Sequence, residues 1–159
     1  MKTMKLVLLV LFVSLQSCDK DDADPFVDLK AENTTYELVS KTTATTGIVR
    51  ITGHIKNVGN TTYTSGSNQQ LAQLLEHPLG TTTNNVVATS NISTSLNAGA
   101  EVSFSYTRNW DIAIEFQPEI ILRISYDPDI LIDGNSNNDD MDSSNNSFTL
   151  DGTAINYLF

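Results

Sequence analysis

Glu119-Ile120-Ile121-Leu122-Arg123-Ile124-Ser125-Tyr126-Asp127 decides the fold. Ile120, Leu122, Ile124 and Tyr126 fall on one side of an extended chain, and Ile121, Arg123 and Ser125 on the other. Side chains of a strand repeat every two residues, so this alternation describes a strand with one face against a core. Asp127-Pro128-Asp129 ends it, because proline cannot continue a central ladder.

The same period recurs on either side. In Gly47 to Val58, Val49, Ile51, Gly53 and Ile55 point one way and Ile48, Arg50, Thr52, His54 and Lys56 the other. Phe26 to Lys41 holds a first strand region, with Val27 and Leu29 alternating and then Tyr36 and Leu38. Val102, Phe104 and Tyr106 alternate with Ser103, Ser105 and Thr107 and lead to Trp110, expected as a core anchor. Ile112, Ile114 and Phe116 then lie in a connection that runs to Pro118. Asn85 to Thr89 and Ile92 to Leu96 are short strand candidates, and Ser147 to Leu150 is a closing strand. Gln69 to Glu76 has the propensity of a helix, but its place between strands favours a strand. Ala154 to Phe159 is expected as one more strand or a frayed end. Asn57-Val58-Gly59-Asn60 and Leu96-Asn97-Ala98-Gly99 are turns, with Gly59 free to take positive φ. Short strands with turns at this spacing predict an all-β chain, an Ig-like antiparallel β-sandwich of about seven strands.

The N-terminal residues follow other rules. Lys2 and Lys5 precede an apolar run from Leu6 to Leu15, broken only by Ser14. Ten helical residues rise about 15 Å, half of a ~30 Å hydrocarbon core, so the run suits a signal peptide rather than a membrane span. Leu15-Gln16-Ser17-Cys18 resembles the lipobox of bacterial lipoproteins and contains the one cysteine of the chain. The resemblance implies cleavage before Cys18 and a lipid on its sulfur, which would join the protein to a membrane. Asp19-Lys20-Asp21-Asp22-Ala23-Asp24-Pro25 is charged and without apolar period, a solvated tether. Its acidic run resembles the surface-export signal of lipoproteins of the Bacteroidota. The chain thus divides into a signal peptide (1–17), an acidic tether (18–25) and a β-sandwich domain (26–159), at the outer membrane of a cell envelope and exposed at the surface if the export signal operates.

Charge narrows the partners. Removing the signal leaves seven basic against nineteen acidic residues, a formal charge of −12. Nucleic acid is excluded as a partner, because holding phosphates requires clustered Lys and Arg. With Cys18 acylated, no thiol remains for a disulfide or a nucleophile.

The turn residues carry a further resemblance. Asn57-Val58-Gly59, Leu96-Asn97-Ala98-Gly99, Trp110, a strand ending in Asp127 and the pair Asn145-Asn146 before a last strand resemble the CARDB family of bacterial Ig-like domains associated with cell adhesion. The resemblance covers roughly residues 45–151. It implies a sandwich with a binding or spacer role, and no activity, because a sandwich hosts many functions. The loop from Asp127 to Asn146 departs from the family: it is long, and has Asp, Asn and Ser where the family tends to have Glu.

Few residues suggest chemistry. His54 is expected on the outward face of a strand and His77 in a loop before Pro78. No phosphate-binding Gly-rich loop, His-x-x-x-His pair or Gly-x-Ser-x-Gly elbow occurs. Asp127, Asp129, Asp133, Asn135, Asn137 and Asp139 offer hard oxygen ligands at alternate positions, as Ca²⁺ takes. Asn138 stands where a calcium loop has glycine, and Ser144 where a bidentate Glu would close it, so any Ca²⁺ is expected to bind weakly. Tyr63, Tyr157 and Phe159 are the aromatics available to a glycan. The expected function is a lipid-anchored, non-catalytic Ig-like binding or adhesion module with a protein or glycan ligand. An accessory subunit of an envelope complex and a carbohydrate-binding surface lipoprotein are the alternatives.

Overall fold

A computed structural model describes residues 23–92 and 94–159 of the 159-residue chain. The expected signal peptide, Cys18 and the expected tether as far as Asp22 lie outside the described residues. Nine strands are present among the described residues: β1 (Leu29–Lys41), β2 (Thr46–Asn57), β3 (Tyr63–Thr64), β4 (Gln70–His77), β5 (Asn85–Asn91), β6 (Ser95–Leu96), β7 (Glu101–Asp111), β8 (Glu119–Tyr126) and β9 (Ser147–Leu150). They pair in the orders β1-β2-β7, β5-β4-β8-β9 and β3-β6, antiparallel throughout. The two larger sheets form a β-sandwich of seven strands, and β3-β6 is a short flanking ribbon.

The core lies where the alternating faces of β2, β4 and β8 meet. Val49, Ile51 and Ile55 from β2 bury against Ala72, Leu74, Ile120, Leu122 and Ile124 from the other sheet. A Cβ added to Gly53 would sit 2.6 Å from Leu122 Cδ1, so a glycine here lets the two sheets approach. Gln70 to His77 is a strand, as its position required, despite its helical propensity. In β1 the buried positions change from Leu29 and Ala31 to Thr34. A bulge between Ala31 and Asn33 causes the switch, since an extra residue flips every later side chain to the other face.

Several expectations are corrected. Gly59 does not take positive φ, whereas Gly99 does, at 76°. What Gly59 supplies is clearance, because a Cβ there would lie 2.5 Å from Phe26 O. Trp110 lies inside β7 and not after it. It is buried, and its Nε1 donates to Asn156 Oδ1 at 2.8 Å. Ile92 to Leu96 contributes only the two residues of β6, and β5 runs on to Asn91. Gly152–Leu158 is a 3₁₀ helix, neither a strand nor a frayed end. Asp151 caps it by accepting from Thr153 N at 2.8 Å, and Ile155 buries beneath it. His77 is the last residue of β4, not a loop residue.

β7 is an edge strand, so Val102, Phe104 and Tyr106 are only half-buried on its inward face. Arg108 shares that face. It pairs with Glu76 of β4 at 2.5 Å and stacks on the Trp110 ring at 4.9 Å, while the Tyr106 hydroxyl donates to Glu76 at 2.8 Å. An inward-pointing charge near an edge blunts strand-to-strand association.

Candidate binding surface on the acidic loop

The stretch between β8 and β9 is held from both ends. Pro128 stops β8, a 3₁₀ turn over Ile130–Ile132 follows, and Gly134 reverses the chain at φ 81°. Ile130 is buried beneath the turn. The stretch then lies alongside residues 26–28: Val27 bridges Asp140 in parallel, and Met141 N donates to Val27 O at 2.9 Å.

Asp140 is the centre of this attachment. Its Oδ1 accepts Leu29 N–H at 3.1 Å, and its Oδ2 accepts Asn146 Nδ2 at 2.6 Å together with the Tyr126 hydroxyl. Burial, reinforced by the Asp140 carboxylate, pushes the Tyr126 phenol well above its usual range. Asn145 Nδ2 donates to Asp28 Oδ1 at 2.9 Å. Burial holds the Asp28 carboxyl above the usual carboxylate range, the Asn145 hydrogen bond opposes this, and the charges of Asp140 and Asp142 add to it.

The six expected calcium ligands are not gathered round one point. The Asp133 carboxylate accepts from Asn138 Nδ2 at 2.8 Å, Gln69 Nε2 at 2.7 Å and Asn135 N at 2.7 Å, and these bonds hold its pKa down. Asn135 Nδ2 donates to Thr64 O, and Asn137 O accepts from Thr64 N, so both residues tie the loop to β3. Asp129 lies against Asp127, and their hydrogen bond and like charges raise its pKa. Asp139 sits beside Asp24 and Met141 in a separate open pocket. Among the described residues no three His, Cys, Asp or Glu side chains converge to hold a metal ion.

Instead the loop displays apolar side chains. Leu131 is 68 % exposed, Ile132 83 % and Met141 73 %. Below Leu131 lies an open cavity of about 280 Å³, walled by Tyr126, Pro128, Ile130 and Leu131, with Asp127, Asp140 and Ser143 at its margin. Among the described residues, no carboxylate of the loop takes part in an ion pair; those present are Lys30–Glu32, Arg50–Glu37, His54–Glu101 and Arg108–Glu76. The sequence did carry a signal for this surface. Leu131, Ile132 and Met141 are bulky apolar residues with no periodic partner, in a polar stretch.

The other singled-out residues lie elsewhere. Tyr63 is not a spare aromatic: it is buried completely, where the β3-β6 ribbon closes over the core. Tyr157 is 92 % exposed, and Phe159 is half-buried with Lys41 Nζ 5.7 Å from its ring centre. His54 joins residues far apart in the chain, with Nε2 2.9 Å from Thr35 Oγ1 and Nδ1 2.7 Å from Glu101 Oε1. This hydroxyl–imidazole–carboxylate order lies on the outer face of the β1-β2-β7 sheet, where Thr35 is exposed to water. His77 Nδ1 is 2.8 Å from Asn84 Oδ1.

Comparison with known proteins supplies no family: no family model and no curated protein matches the chain. The likenesses are to parts of solved structures. One is described as a β-galactosidase from Bacteroides fragilis, with 8 % identity and TM-score 0.41 over 74 % of this chain and 15 % of that one. Another is a sporulation control protein from Bacillus subtilis, with 12 % identity and TM-score 0.32 over 63 % of this chain and 44 % of that one. A β-glucosidase from Kluyveromyces marxianus shows 9 % identity and TM-score 0.32 over 80 % of this chain and 14 % of that one. The matched length is thus a small part of each glycosidase.

Proposed function

We propose that this is a lipid-anchored protein of the bacterial cell envelope whose β-sandwich is a non-catalytic binding module. The observation that carries the binding reading is the exposure of Leu131, Ile132 and Met141 on a loop fastened by hydrogen bonds. Contiguous exposed apolar side chains rimmed by polar residues mark interaction sites, and Leu131 and Ile132 are adjacent with Asp129 and Asp133 on either side. The anchor rests on the lipobox. Asp24 and Pro25 lie beside Met141 and Asp139, so the tether leaves the domain next to this loop. CARDB kinship, which implies adhesion, rests on the turn residues alone. The alternative of an accessory subunit uses the same surface with a fixed partner. The glycan-binding alternative retains Tyr157 as its exposed aromatic.

Against catalysis, the Thr35–His54–Glu101 relay lies on an open sheet face, and such chemistry needs a site that shields water and stabilises the oxyanion.

Labelling cells with an alkyne fatty acid tests the anchor. Wild type takes up label and Cys18→Ser does not; equal labelling overturns it. A photo-crosslinking residue at position 132 in intact cells tests the binding surface. One discrete adduct, absent when the crosslinker stands at position 54, supports the reading. No adduct, or the same adducts from both positions, overturns it.

A further inference from the structure

We infer that the acidic loop docks a short basic segment of another protein, one that places an aliphatic side chain against Leu131 and Ile132 and its Lys or Arg side chains on the exposed carboxylates of Asp127 and Asp129. The inference rests on the binding-module reading and names the partner's chemistry.

Three observations select this occupant. The first is shape. The cavity of about 280 Å³ is walled by Tyr126, Pro128, Ile130 and Leu131. That is just below the ~300–1,000 Å³ range of small-molecule sites, so it suits a side chain better than a large ligand. The second is charge. Asp127 lines the cavity and Asp129 lies against it; both are exposed, and neither is in an ion pair among the described residues. A positive segment would find carboxylates with no cation to displace. The third is rigidity. Hydrogen bonds to Val27, Leu29, Thr64 and Gln69 fix the loop before any partner arrives, which lowers the ordering cost of binding.

The other occupants fit less well. A bilayer that received Leu131, Ile132 and Met141 would also receive their carboxylates, and anionic lipid headgroups repel these. A second copy meeting through a two-fold axis would set the same loop against itself, like charge on like.

The test uses the full chain reconstituted in phosphatidylcholine vesicles and a fluorescent octapeptide of alternating Leu and Lys, followed by anisotropy. The controls carry Ser for Leu or Glu for Lys. We expect the Leu/Lys peptide to bind about tenfold more tightly than either control, a difference of ~1.4 kcal/mol. We expect Leu131→Ser with Ile132→Ser to abolish that advantage. Both side chains are exposed, so the melting temperature should not change, and a variant that does melt early is replaced by Ile132→Thr alone. Equal binding of the Ser/Lys peptide would reduce the surface to bare charge and overturn the inference. So would equal binding by the double variant, equal uptake by protein-free vesicles, or dimers in sedimentation that the double variant dissolves. Protein that does not float with the vesicles is assayed in solution. Peptide binding without fatty-acid label on Cys18 defeats the anchor alone, and label without peptide binding defeats this inference alone.

Discussion

The crossing of β2 over β8 and the loop after β8 are a few residues apart and are built on opposite terms. At the crossing, Ile51, Gly53, Leu74 and Leu122 meet without a polar atom between their side chains. In the loop, Asp140, Asn145, Asn146, Tyr126 and Asp28 meet almost entirely through polar atoms. The first region is held by area removed from water, which has no direction. The second is held by donors aimed at carboxylates, which lose most when one partner goes missing. One is therefore sensitive to volume and the other to charge and pH.

The contrast can be broken at four strengths. Leu122→Ala should cost about 2–5 kcal/mol in urea denaturation, the range for a buried leucine. Little change would mean that the sheets close over the gap. Asp140→Ala should cost about 1.5–3 kcal/mol, the range for hydrogen bonds to a charged group, because it leaves Leu29 N–H, the Tyr126 hydroxyl and Asn146 Nδ2 without their acceptor. An equal melting temperature would show that water replaces the carboxylate.

The third is a pH effect. The Asp28 pKa is raised in the folded state, so its contribution is fully present below the ordinary carboxylate pKa and is lost as pH rises through the raised value. Asp28→Asn should therefore stabilise the domain at neutral pH. The gain should vanish below about pH 3.9, where both folded and unfolded wild type hold the proton. A gain that persists in acid would assign it to packing. The smallest effect concerns metal. Because the Asp133, Asn135 and Asn137 groups bond to β3 and its neighbours, calcium and magnesium at equal millimolar concentration should shift the melting temperature alike. A shift with calcium alone would show that the loop reorganises to bind it.

These differences also explain what was legible in the sequence. Alternation in Glu119 to Tyr126 and Gly47 to Asn57 announces which side chains are buried, because a strand offers only two faces. The phase change in β1 was visible as Leu29 followed by Tyr36, but the bulge that causes it has no spelling of its own. Spacing of oxygen ligands was a poorer guide. Asp133 and Asn135 have the spacing of a calcium loop, yet that same spacing lets Asp133 cap Asn135 N. Whether an Asp faces an ion or a backbone depends on Gln69 and Asn138, and Gln69 lies sixty-four residues away. Nothing in the sequence marks Tyr63 as buried, because a two-residue ribbon is too short to show a period. Nothing local links Thr35, His54 and Glu101 either; only the register of β1 and β7 on β2 does so.

The parallel bridge between Val27 and Asp140 bears on how the fold would carry a mechanical load. A pull on the chain before Asp24 meets Asp24 first, whose O accepts from Asn60 Nδ2 at 3.0 Å, and then Phe26 and Val27. Phe26 N donates to Asn60 Oδ1, Phe26 O accepts from Asn60 N and Thr61 N, and Val27 O accepts from Met141 N. Val58 N donates to Asp28 O one step further on. The strain is shared between two distant parts of the chain before it reaches the β1–β2 ladder, so β1 is not unzipped one bond at a time from its leading end. Tension on a tether would meet a clasp, and the strand behind it would stay paired until the clasp gave way.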